Sequence, residues 1–489
     1  MPDLGTPPLV PRLAGEAIGT YVLVFTVGCC VLSESYLLAG VAVGSVLAIL
    51  VYALNDVSGA HLNPAVTVAI MVGRRGEMVW NDAWKYIVAQ VLGGLAGAFT
   101  YGGMFMNTFP LGPTSRSTWL AVATVELLYT FMLCYVVLGT AGMRAGVDKN
   151  HYGLAIGLVV IAGVYATAWM GAGTFNPAIA IAVDVSGAYY GFGWCIMYVA
   201  AQMLGAVLAA FAHQAVQSRS ISVVNSKPSA AFVSEAIGTF FLVLTVGLNL
   251  LALPAPSAAA PISIGAALAA MIYADNGVSG GHFNPAVSLA VFVSRRGEMT
   301  SPKLAIYIGV QLVAAVVASF IYTVLTFRTF GIGPVCLPNK STPCWQWAGA
   351  GVAEFVYTAV LCLTVLHVAA TRQPMREFHG LAIGFVVIAG GYAVGHISGA
   401  ALNPAVSLGT DIAYFFSTWR LGYGWIYAIF QLAASVAAAF LFMTTVTSDD
   451  RDVSGKLSGN AGSQPPAAPL GPTAPFVVHQ RQQVQYSGV

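Results

Sequence analysis

The 489-residue chain is 57% hydrophobic and only 8% charged, with a mean hydropathy of +0.77, whereas about a quarter of the residues of a soluble globular protein are charged. This balance marks an integral membrane protein with the lipid bilayer as its solvent, and the length of its apolar runs makes it all-α. A net charge of +2, with no basic cluster longer than Arg-Arg, gives nucleic acid nothing to bind.

In chain order, residues 1–9 form a short leader without the basic start and cleavage site of a secretory signal. Apolar runs follow at roughly 10–32, 37–55, 83–106, 117–141, 152–169 and 192–214. After a polar break the pattern restarts at roughly 231–253, 260–276, 303–327, 347–369, 380–395 and 422–447. Twelve spans result. Between them, four short polar boxes interrupt the apolar text: Asn63-Pro64-Ala65, Asn176-Pro177-Ala178, Asn284-Pro285-Ala286 and Asn403-Pro404-Ala405. Each reads as a helix start, because Asn caps exposed N–H groups and Pro at the first helical position lacks only an N–H that would be orphaned. The apolar stretch after each box is far short of the ~20 residues that cross a bilayer. These are half-helices.

The repeat is measurable. Glu16, Glu126, Glu235 and Glu354 precede the four Asn residues by 47, 50, 49 and 49 residues. A Tyr-x-x-x-Gln pair follows each box: Tyr86/Gln90, Tyr198/Gln202, Tyr307/Gln311 and Tyr427/Gln431. Each module holds three spans, so successive modules enter the membrane from opposite sides and pair as inverted repeats. The chain divides into a leader (1–9), domain one (10–216), a linker (217–229), domain two (230–447) and a Ser/Gly/Pro/Gln-rich tail (448–489) that reads as disordered. With the N-terminus cytosolic, 16 of the 20 Lys and Arg residues fall inside, which places both termini and the linker in the cytosol.

Two Asn-Pro-Ala boxes per six spans, Ser58-Gly-Ala-His-Leu-Asn-Pro-Ala-Val66, Gly153-Leu-Ala-Ile-Gly157 and Glu16-x-x-Gly-Thr20 with their second copies closely resemble the major intrinsic proteins, the aquaporin and aquaglyceroporin family. The resemblance covers roughly residues 10–447, so the chain looks like two complete members in tandem. It implies a passive channel for water and small neutral solutes such as glycerol, urea or ammonia, with one pore per domain and no cofactor. Family pores are tetramers, so a homodimer of this chain would supply four pores. The resemblance also places Glu16, Glu126, Glu235 and Glu354 behind the half-helix loops as structural carboxylates, in preference to a proton relay. His61 and His282 read as loop hydrogen-bonders in preference to pH switches or metal ligands.

The boxes also carry a physical reading of their own. Half-helix N-termini meeting at mid-membrane present positive potential to a cation, and each Asn NH₂, its oxygen engaged in capping, is left to donate to a solute. A water held by two such donors interrupts a proton-conducting file. Asn63/Asn176 would serve one pore and Asn284/Asn403 the other.

The family's spacing places the narrow filter at Val43, Val164, Gly173 and Ile179 in domain one, and at Ile264, Gly391, Ala400 and Val406 in domain two. Most members have Arg where this chain has Ile179 and Val406, so no guanidinium restricts the aperture. The small Gly391 and Ala400 leave extra space in domain two. Cys336 and Cys344 flank a predicted external loop where oxidation permits a disulfide. Ser487-Gly488-Val489 matches an ending that adds a strand to a PDZ sheet. A secondary transporter, or a scaffold with one or both pores silent, stands as the alternative; an enzyme lacks any nucleophile box, metal cluster or phosphate loop in this sequence.

Overall fold

Each Asn-Pro box opens a helix in the way its chemistry dictates. The side-chain oxygens of Asn63, Asn176, Asn284 and Asn403 accept the N–H groups of Ala65, Ala178, Ala286 and Ala405 at 2.8–2.9 Å, satisfying a donor that the helix itself cannot. The computed structural model describes residues 7–74, 78–140, 150–216, 228–295, 299–334, 345–370, 375 and 377–445. The linker apart from its last two residues, the tail and its PDZ-like ending, and Cys336 and Cys344 lie outside the described residues.

The described residues form sixteen α-helices, eight in each half. The first eight are α1 (Leu9–Leu32), α2 (Tyr36–Ser58), α3 (Pro64–Gly73), α4 (Trp80–Phe105), α5 (Trp119–Thr140), α6 (Tyr152–Thr167), α7 (Pro177–Ser186) and α8 (Trp194–Val216). The second eight are α9 (Pro228–Leu250), α10 (Ala260–Asp275), α11 (Pro285–Val293), α12 (Ser301–Thr326), α13 (Trp345–Ala369), α14 (His379–Ser398), α15 (Pro404–Thr418) and α16 (Gly424–Thr445). Eleven of them are long and apolar enough to cross a membrane.

Of the twelve expected spans, α10 is the exception at 16 residues; α6 is as short, but a 3-10 turn carries it on to Met170. Helix α10 is rich in Ala and buried along most of its length among α5, α6, α9 and α14, so protein rather than lipid surrounds it. Its hydrogen bonding continues past Asp275, from the N–H of Ser279 to Asp275 O and of Gly280 to Asn276 O. Three half-helices match the expected brevity with 9 or 10 residues, but α15 runs on to 15. Beyond its first two turns Thr410 is buried, and the half-buried Asp411 accepts the N–H groups of Ile332 and Gly424, so neither polar residue ends the helix.

The two halves pack alike. In the first, α1 lies on α4, α2 on α6, α5 on α8, and the half-helices α3 and α7 lie on α8 and α4; the second repeats this with α9–α16. The Gly-Leu-Ala-Ile-Gly signature finds its reason at the crossing of α2 and α6. A Cβ on Gly157 would lie 2.4 Å from the carbonyl oxygen of Gly44, and one on Gly384 would lie 2.6 Å from that of Gly265. Two backbones in contact admit nothing larger, the usual device for close helix packing in lipid.

The halves meet where α5 and α6 face α9 and α10. Buried hydrogen bonds cross the contact: Tyr129 Oη with Thr245 Oγ1 at 2.8 Å, Tyr135 Oη donating to Asp275 Oδ1 at 2.7 Å, and Ser263 Oγ donating to Ala162 O at 2.7 Å. Removing the Tyr135 hydroxyl strips Asp275 of a donor it cannot replace with water. Tyr135→Phe is expected to destabilise the protein by about 1–3 kcal/mol, read as a lower melting temperature in detergent, and adding Asp275→Leu is expected to recover part of the loss.

Candidate functional site

The site is built from the residue preceding each Asn. Leu62, Phe175, Phe283 and Leu402 have φ of +50°, +46°, +49° and +49°, a left-handed conformation that bulky side chains rarely adopt. The twist turns the N–H of each residue one way and its carbonyl the other. The N–H groups donate to the carboxylates behind the loops: Leu62 to Glu16 at 2.6 Å, Phe175 to Glu126 at 2.9 Å, Phe283 to Glu235 at 2.7 Å and Leu402 to Glu354 at 2.8 Å. The carbonyls face across the domain to the opposing box. Asn63 Nδ2 donates to Phe175 O and Asn176 Nδ2 to Leu62 O, both at 2.9 Å. Asn284 Nδ2 donates to Leu402 O at 3.0 Å and Asn403 Nδ2 to Phe283 O at 2.9 Å.

This revises the expectation that each Asn NH₂ is wholly free for solute. One of its two N–H bonds locks the opposite loop, and one remains.

Each carboxylate gathers further loop donors. Glu126 accepts from the N–H groups of Gly173 and Thr174, Glu16 from His61, Glu235 from His282, and Glu354 from Ala401. The Tyr-x-x-x-Gln pairs, visible in the sequence only as a repeat, complete the same shell. Gln90, Gln202, Gln311 and Gln431 each donate to their carboxylate at 2.8 Å. Tyr86, Tyr198, Tyr307 and Tyr427 donate to the carbonyls of Ser58, Gly171, Ser279 and Ser398. His61 Nδ1 pairs with Thr67 Oγ1 at 3.1 Å and His282 Nδ1 with Ser288 Oγ at 3.0 Å. Non-helical backbone at membrane depth survives only with such partners.

Sequence reasoning missed Asp184 and Asp411, each eight residues after the second Asn of its domain. Asp184 Oδ2 accepts the N–H groups of Gly193 and Cys195 at the start of α8, and Asp411 those of Ile332 and Gly424. Both tie the half-helix to the segment that follows. Their shared offset from Asn was the available signal.

Each half contains a cavity reached by its own Asn pair. The first, about 770 Å³, runs from Arg74 and Met78 past His61, Asn63 and Asn176 to Val43, Gly173 and Ile179. Val164 stands just beside it, its Cγ2 3.8 Å from where a Cβ on Gly173 would lie. The second, about 370 Å³, runs from Phe330 and Ile332 through Ile264, Gly391, Ala400 and Val406 to Asn284, Asn403 and Val365. Pro261 also borders it, a residue that no sequence pattern singles out.

The paired half-helices, loops locked across the domain and a cavity beside each Asn pair define a membrane protein of channel architecture. The model of the major intrinsic protein family matches residues 5–213, 150–253 and 222–442. Nodulin-26 of Glycine max is 32% identical over 237 residues, covering 46% of this chain and 85% of the relative. Aquaporin NIP1-2 of Oryza sativa subsp. japonica is 32% identical over 224 residues, covering 41% of this chain and 70% of its own. The solved aquaglyceroporin of Plasmodium falciparum is 21% identical, with a TM-score of 0.38, over 44% of this chain and 96% of its own. The chain belongs to the major intrinsic protein family and carries the family's domain in tandem.

The carboxylate shell yields a direct test. Ala401 and Leu402 donate to different oxygens of Glu354, so Glu354→Gln must turn an NH₂ toward one of two buried N–H groups. A stability loss of about 1–3 kcal/mol is expected, seen as a lower melting temperature, whereas replacement at the exposed Glu34 is expected to leave it unchanged.

Proposed function

We propose that the chain is a passive channel for water and small neutral solutes such as glycerol, urea and ammonia, with one pore in each domain and exclusion of protons and ions. The observation that carries this reading is the separate cavity in each half, lined by its own reciprocally locked Asn pair. The second N–H of each Asn remains to hydrogen-bond a solute oxygen. A water accepting from both Asn side chains has its two lone pairs occupied, so it cannot take a proton from the next water in the file. Two half-helix N-termini, each about +0.5 of a charge, repel cations at the same point.

Domain one spans residues 10–216 and domain two 230–447, joined by a cytosolic linker at 217–229, with both termini cytosolic. A homodimer supplies four pores. The outward faces of α1/α2 and α13/α14, with Leu37, Leu38, Val352 and Phe385 exposed, are the counterparts of those that join α9/α10 to α5/α6 within the chain.

Reconstituted protein is expected to give water flux with low activation energy and no proton current in stopped-flow and pH-dye assays. Flux that saturates at low solute concentration and reverses with a proton gradient would replace the channel by a transporter. The pores should be separable. Gly173 is a poor place to plug the first, because its φ of +112° admits a side chain only with strain; Val43 lines the cavity from a regular helix. Val43→Trp and Ile264→Trp are each expected to remove part of the water flux, and the double variant nearly all of it. Loss of all flux in either folded single variant would indicate one shared pore.

Selectivity follows from Ile179 and Val406, aliphatic residues where the family resemblance leads one to expect Arg. In the Val43→Trp background, Val406→Arg is expected to reduce glycerol and urea permeation more than water permeation; an unchanged ratio would move the constriction elsewhere.

A further inference from the structure

Gly391 does not leave the second pore open. A Cβ placed on it would lie 2.7 Å from Pro261 Cβ and 2.9 Å from Pro261 Cγ, so the proline ring already occupies the volume that a side chain at 391 would fill. By the repeat, Pro261 corresponds to Gly40 and Gly391 to Val164. Large and small residues have changed places across the crossing of the second and fifth spans. In the first half, Gly40 is abutted by the ring of Tyr165, whose hydroxyl donates to Leu37 O at 2.7 Å. In the second, the corresponding Tyr392 is half-exposed and donates to Ala258 O at 3.2 Å.

We propose that Pro261 is a specificity-determining residue of the second pore, forming the filter wall that Val164 provides in the first. The inference rests on the channel reading above. Pro261 sits in the first turn of α10, where its missing N–H is no loss. Its ring has no rotamer by which to retract, so it makes a stiff wall. With Ile264, Ala400 and Val406 also bordering the cavity, the constriction is apolar on every side named for the filter. Such a ring selects by size rather than by hydrogen bonding. The space expected from the sequence of Gly391 is therefore withheld by a residue on the opposite helix.

The test uses the full chain with Val43→Trp closing the first pore, reconstituted in liposomes, with the glycerol-to-water permeability ratio as readout. Pro261→Gly is expected to raise the ratio on the order of tenfold, the scale on which one methylene is distinguished in an apolar site. Adding Gly391→Val, which restores the Gly/Val pairing of the first half, is expected to return it toward the parent. An unchanged ratio in Pro261→Gly overturns the proposal. A second measurement does not depend on flux: Val406→Cys, labelled from outside by a bulky thiol reagent, is expected to react faster when Pro261→Gly is present, and equal rates also overturn the proposal. Faster labelling in a protein that shows no water permeability above bare lipid would sink the channel reading while leaving Pro261 as the wall.

Discussion

The structure depends on one exchange: the amide of each Asn donates to the carbonyl of the residue preceding the opposite Asn. That carbonyl points across the domain only because its residue is left-handed. In the hydrocarbon region, where water offers no alternative partner, a misdirected N–H or carbonyl costs several kcal/mol. The two loops of a domain therefore cannot be set independently. Leu62 and Phe175 in one half, and Phe283 and Leu402 in the other, each complete a bond that the opposite loop needs.

Strain of this kind costs roughly 1–3 kcal/mol per residue, and it persists because the N–H of the same residue is held as firmly as its carbonyl. Glu16, Glu126, Glu235 and Glu354 are buried for this reason, each collecting backbone, glutamine and, at three of the four, hydroxyl donors. A carboxylate suits the task because it accepts on two oxygens and donates nothing, so adjacent N–H groups can converge on it. An amide there would turn one donor against another. The same arithmetic confines each Asn: one oxygen to cap, one N–H to lock the facing loop and one N–H left over.

Much of this was legible because it rests on local rules. Asn before Pro signals a helix start in any solvent, and the short apolar run behind it signals that the helix stops inside the membrane. The inverted repeat followed from counting spans. What was not legible depends on contacts distant in sequence. The shortness of α10 makes sense only once α5, α6, α9 and α14 enclose it, and the length of α15 only once Asp411 is seen to hold the N–H groups of Ile332 and Gly424. Nothing near Gly391 in the sequence reveals that Pro261, 130 residues earlier, fills its space. Asp184 and Asp411 were hidden for a different reason, since a lone Asp in an apolar stretch has many readings until its backbone donors are known.

The two halves share a pattern but not a surface. At the joined face, Tyr135 meets Asp275 and Asn249 donates to Ser263, which donates in turn to Ala162 O. The repeat places Leu363, Leu54, Cys30 and Ala42 at the positions corresponding to Tyr135, Asp275, Asn249 and Ser263: three aliphatic side chains and a thiol. Between helices in lipid, apolar contact alone discriminates poorly, because lipid tails are as apolar as leucine, while a buried hydrogen bond adds about 0.6–2 kcal/mol and fixes register. Of the bonds at the joined face, Tyr129 with Thr245 has hydroxyl counterparts on the outward faces, Tyr357 and Thr26, whereas those of Tyr135, Asp275, Asn249 and Ser263 have none. Any association of two chains through those outward faces would draw on fewer directional bonds and more on shape and small-residue packing, so the tandem arrangement makes the two bundles inequivalent neighbours although their helices pair in the same pattern.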